Sequence, residues 1–205
     1  VNILTEYLPT KVEIDRVIYD INTDFRACLR VILAFEDPEL TNGERQQIML
    51  SNLFTKEQPT NLAGAVEEAI RFLNGGPNGQ SEESEEKEDA LRLYSFEKDS
   101  SFIFSAFTQT HGIDLQEIPY MHWWKFLALF MDLGQNTTFC QLVGLRKRVK
   151  TGKATKEEKD AAREMGTIFD VPEVDNRTVE EKEKELEFLR ALSMAAPNTE
   201  YAGVT

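Results

Sequence analysis

His111, His122, Cys28 and Cys140 are the only histidines and cysteines in the chain, and so the first residues to weigh as metal ligands or nucleophiles. A zinc site gathers such groups from short CxxC, HxxxH or HExxH spacings. Here each stands alone in sequence, and no metal or cofactor is expected. His111 precedes Gly112, where a helix should stop and an imidazole suits the negative pole of the helix dipole. His122 and Lys125 share a narrow polar stripe within an apolar segment, an arrangement open to a general acid with an anion holder. The plainer reading, the wet edge of a buried helix, is adopted here. No glycine-rich phosphate loop follows a strand and no GxSxG elbow occurs, and the carboxylates lie on charged faces without an apolar setting to split their pKa values. A non-enzymatic protein is expected, with a hydrolase using His122 and Lys125 as the catalytic alternative.

Positioning any of these groups falls to a chain of 205 residues, 41% hydrophobic, which suits one cored domain with an appendage. The net charge of −13 sets its average field against nucleic acid and anionic lipid. No apolar run approaches the roughly 20 residues of a membrane span, and "VNILTEYLPTKVEID" has no basic n-region before an apolar run. Neither nucleic acid nor membrane is expected as a partner. Cys28 and Cys140 sit inside apolar helical patterns, as buried thiols of a reducing compartment would.

The expected fold is mainly α: a helical domain with a small N-terminal β-hairpin and an appended C-terminal helix. Alternation at Val12 and Ile14, a break at Asp15 and Arg16, and resumption at Val17, Tyr19 and Ile21 give the hairpin. A helix follows with Thr23 or Asp24 as its cap and Phe25, Leu29, Ile32 and Leu33 on one face. The Thr41 and Glu44 spacing forms a capping box for the next. A third carries Leu62, Val66, Ala69, Ile70 and Leu73 and ends at Asn74 and Gly75. Residues 75–89 hold Gly and a strongly acidic block broken only by Lys87, so they read as a mobile linker. Beyond them Phe102, Ile103, Ala106 and Phe107 mark a helix ending at Gly112, another runs from about Thr138, and Thr155 with Glu158 opens a short charged one. The domain is placed at residues 1–169, with a C-terminal helix and tail over 170–205 carrying Leu186, Leu189 and Leu192.

"IPYMHWWKFLALFMDL" is apolar on nearly every side, as suits a helix starting at Pro119 and buried, or buried once a partner arrives. Trp123 and Trp124 point about 100° apart in a helix. Core packing is the plainer reading for most of these rings; Trp123 shares its side with Phe126 and Phe130, and these three are the candidate partner contact, while Trp124 with Leu127 is expected in the core. Arg146, Lys147 and Arg148 begin a basic strip that continues through Lys150, Lys153 and Lys156. It lacks interleaved aromatics for base stacking, so an acidic partner or intramolecular pairing is expected over nucleic acid.

Two blocks, "YLPTKVEIDRVIYDINTDFRACLRV" and "YSFEKDSSFIFSAFTQTHGIDLQEIPYMHWWKFLALFMDL", resemble in this order the bacteriophage gene-product-fifteen family of long-tailed phages and prophages of Gram-positive bacteria. The chain departs from that family at Asp15-Arg16, where Asp-Gly is common, and adds the acidic block and the segment after Asn176. Members are encoded between the major tail protein and the tape-measure protein, a position like that of tail-assembly chaperones. The resemblance therefore implies a chaperone that binds the tape-measure protein in the host bacterial cytoplasm, with the tail-tube protein and self-association as further contacts. A structural component of the mature tail or connector is the alternative. No catalytic residue is carried over.

Overall fold

A computed structural model describes residues 2–76 and 91–171, all within one compact unit. The acidic block beyond Gly76 and the C-terminal helix with Leu186, Leu189 and Leu192 lie outside the described residues.

Two strands, β1 (Lys11–Ile14) and β2 (Val17–Asp20), pair antiparallel with Ile14 opposite Val17. Asp15 and Arg16 form the two-residue turn with φ of 51° and 66°. Both positive values follow the type I′ pattern that matches strand twist, adopted here without glycine. A lone hairpin needs support. Ile14, Tyr19 and Ile21 are buried, and Tyr19 meets the Phe54 ring edge-on at 6.5 Å.

Seven α-helices follow among the described residues: α1 (Phe25–Glu36), α2 (Asn42–Leu53), α3 (Leu62–Leu73), α4 (Ser100–His111), α5 (Trp123–Met131), α6 (Thr138–Lys150) and α7 (Lys156–Met165). Their starts were written locally. Asp24 caps α1, and both Thr41 with Glu44 and Thr155 with Glu158 close reciprocal capping boxes. Gly112 ends α4 in the left-handed conformation at φ 65°, with His111 in the last turn.

The buried faces differ from the periodic stripes in two helices. In α1 the core takes Phe25, Cys28 and Val31, leaving Leu29, Ile32 and Leu33 half-buried. In α3 it takes Ala65, Ala69 and Phe72, while Leu62 and Ile70 stand exposed. In α3 two of the three buried positions are alanines, which allow close helix approach, while the larger Leu62 and Ile70 are left outside the contact.

Candidate functional site

The aromatic segment from Met121 to Leu133 is fixed first by its junction with α1. Asp24 and His122 form an isolated antiparallel bridge; Trp123 N–H donates to Thr23 O at 2.7 Å, and Phe25 N–H donates to Met121 O at 3.0 Å. Both helices thus begin at one point. The start at Trp123 corrects the expectation of a helix from Pro119: His122 is extended (φ −63°, ψ 138°) and is the N-cap. Its Nδ1 accepts from Trp124 N–H at 3.1 Å, which leaves Nε2–H to donate to Pro9 O at 3.0 Å. Burial lowers the His122 pKa, with the Pro9 carbonyl acting in the opposite sense. His122 is therefore a buried neutral cap rather than a wet edge, while Lys125 is exposed.

Both indoles cap α3. Trp123 Nε1–H donates to Leu73 O and Trp124 Nε1–H to Phe72 O, each at 2.8 Å, reaching carbonyls at the end of α3. The Trp124 ring stacks on Phe72 at 5.8 Å and lies over Gly76, where a Cβ would come within 2.6 Å of it. Gly76 also has φ +82°, so glycine is required twice over.

The partner-contact expectation for Trp123, Phe126 and Phe130 is corrected by their burial, at 1%, 0% and 8% exposure. They do share a face, but that face is the core. Phe126 lies between Trp123 (5.4 Å), Phe107 (5.0 Å) and Phe25 (5.1 Å), all near parallel, and Phe130 continues to Phe139 and Tyr94. Trp124, expected inside, is half-buried with Leu127, and Met131 on the same side is 80% exposed. With two apolar faces on one helix, the choice was made by Phe25 and Phe107 on neighbouring helices, information the segment itself does not carry.

Arg146 is too buried to be a partner contact and instead makes the intramolecular pairing that was the other expectation for the basic strip. Its side chain is fully buried and spends all five N–H groups: two on Asp99 (2.7 and 3.0 Å), and one each on Leu93 O, Ile168 O and Phe169 O. It ties α6 to the start of α4, to the segment before it and to the 3-10 turn Gly166–Ile168. Lys147 and Arg148 are exposed, and Arg148 pairs with Glu158 at 2.8 Å. Cys28 is buried with its thiol pKa raised by desolvation; Cys140 is half-buried, and both are free. Among the described residues no cluster of three or more His, Cys, Asp or Glu is placed to hold a metal ion, and no helix is long and apolar enough to cross a membrane.

A partly apolar groove lies beside this core. A cavity of about 370 Å³ opens between α1 and α4, walled by half-buried Leu29, Leu33, Phe96 and Phe104. Phe126, itself buried, contributes to its floor, so the aromatic stack supports the groove without being its exposed face. Arg30 stands exposed at the rim, while Arg26 is held by Leu115 O and Ile118 O. The sequence offered one signal for this groove: Leu29 and Leu33 extend the apolar stripe of α1 beyond what its core contact uses.

A family model described as bacteriophage Gp15 protein matches residues 4–171. No curated protein and no solved structure matches the chain.

Proposed function

Because the chain belongs to the bacteriophage Gp15 protein family, making it a phage structural or assembly protein, we propose that it is a non-enzymatic tail-assembly chaperone that binds the tape-measure protein. The observation that carries this reading is the α1–α4 groove. Amphipathic helices dock by placing apolar anchors at i, i+3, i+4 and i+7 into such grooves. Leu29, Leu33 and Phe104 offer apolar surface already held in place by a rigid aromatic floor, which reduces the ordering cost of binding. The cavity has room for anchor side chains rather than a whole helix, so the rest of the bound segment lies across the surface. Binding takes place in the host cytoplasm, before tail-tube subunits enclose the tape measure.

Co-expression with the tape-measure protein of the same phage tests this. Wild-type chain should keep that protein soluble and co-purify with it. Leu33→Asp, a half-buried position outside the aromatic core, should remain helical by circular dichroism and lose the co-purification. Wild-type chain that leaves the tape-measure protein insoluble contradicts the chaperone reading; a Leu33→Asp chain that still co-purifies removes the groove from it.

A further inference from the structure

A second, larger groove lies between β1, α2 and α3. Its volume is about 1160 Å³. Four carboxylates line it, from Glu13, Asp15, Glu67 and Glu68, and no Lys or Arg does. Asp15 accepts from Asn61 Nδ2 at 2.8 Å and Glu68 pairs with Arg71 outside the groove, but Glu13 and Glu67 are exposed with no cation beside them among the described residues. Leu50, Val66 and the 57% exposed Leu62 add apolar surface to the lining, among the polar Gln46, Gln47, Ser51 and Gln58.

The same chain carries the complement of this surface. The last turn of α6 holds Lys147, Arg148 and Lys150, and the turn into α7 adds Lys153 and Lys156. Arg148 is taken by Glu158 and Lys150 Nζ donates to Arg92 O at 2.7 Å. Lys147, Lys153 and Lys156 are exposed, and none has a carboxylate within ion-pair distance among the described residues.

We propose that the chain associates head to tail, with the basic α6–α7 end of one copy seated in the acidic groove between β1, α2 and α3 of the next. Lysine suits this groove because its hydrocarbon stem covers apolar surface while the ammonium reaches outward to carboxylates. The two surfaces share no residue, so the contact is heterologous, and such contacts produce rings when the rotation closes and open filaments when it does not. The contact uses neither wall of the α1–α4 groove. It therefore stands or falls separately from tape-measure binding.

Sedimentation velocity on the full chain tests it, at salt concentrations of about 0.05 and 0.5 M, where charge screening differs severalfold. Species heavier than the monomer should form at low salt and be lost at high salt. Two variants reverse one surface each at exposed positions: Glu13→Lys with Glu67→Lys, and Lys147→Glu with Lys153→Glu. Each alone should be monomeric at low salt with unchanged helical content, because each then meets its own copies like charge against like. An equimolar mixture should regain the heavier species. Wild-type chain that is monomeric at both salts overturns the proposal, as do single-surface variants that still associate. A mixture that stays monomeric overturns it too.

Discussion

Replacing Arg146 by Met keeps most of the side-chain volume and removes five buried donors at once. Asp99, 1% exposed, would be left with the Ser95 N–H at 3.1 Å, and the carbonyls of Leu93, Ile168 and Phe169 would each lose a partner. Breaking a buried ion pair by removing one member costs about 3–5 kcal/mol, because the remaining charge stays uncompensated. Orphaned carbonyls that remained dry would add about 1–3 kcal/mol each. Ile168 is exposed, however, so the 3-10 turn can lift away and rehydrate them. The expected loss is therefore close to the ion-pair figure alone, about 4 kcal/mol. For a chain of this size that corresponds to a fall in Tm of about 8–16 °C. It is a large share of the roughly 5–15 kcal/mol available to a domain. Urea unfolding followed by far-UV circular dichroism measures it. Arg146→Met combined with Asp99→Leu should recover part of the loss, since no lone charge is left. A loss below about 1 kcal/mol for the single variant, the worth of an exposed pair, would refute the reasoning.

The two tryptophans should separate in the same assay: Trp123→Ala is expected to cost about 3–5 kcal/mol as a buried truncation. Trp124→Ala, half-buried, should cost about 1–2 kcal/mol, mainly the hydrogen bond to Phe72 O and part of the ring contact. Acid should weaken the fold through His122. Its pKa is depressed in the folded state, so the unfolded chain binds the proton more readily; the stability it confers is complete above the ordinary histidine value of about 6.5 and is lost as pH falls below it. His122→Gln should flatten that part of the stability profile, measured by urea unfolding between pH 5 and 7.5 or so. Quantitative mass spectrometry should find the protein in lysates of phage-producing cells and at most in traces in purified virions; abundance in virions would favour a structural part of the tail.

What could be read from sequence was local. Asp24, Thr41 with Glu44, and Thr155 with Glu158 each act within one helical turn, and each cap forms where its spacing placed it. The hairpin break at Asp15 and Arg16 is local for the same reason. Failures came where the deciding partner is distant. Arg146 lay in a basic strip for which an acidic partner and intramolecular pairing were both open, and nothing local showed that Asp99, 47 positions away, would draw it inside. His122 read as an edge because its cap role depends on α5 starting at Trp123, and that start is set by the bridge to Asp24. Trp123, Phe126 and Phe130 were grouped correctly on one face, but α1 and α4 supply the Phe25 and Phe107 rings that turn this face inward. The α1–α4 groove was legible only as surplus: Leu29 and Leu33 belong to the stripe of α1 and are left over once Phe25, Cys28 and Val31 have filled the core.

The most direct test of tape-measure binding is to place a photo-crosslinking residue at Leu33, within the α1–α4 groove, and to irradiate cells while phage tails are being built. The protein linked at that position is then identified by mass spectrometry. Docking of the tape measure in the groove predicts a crosslink to one helical segment of the tape-measure protein, absent when the same residue is placed at exposed Lys125 on the far side of α5's buried face. Crosslinks at Leu33 that reach only the tail-tube protein, or only copies of the same chain, would contradict it.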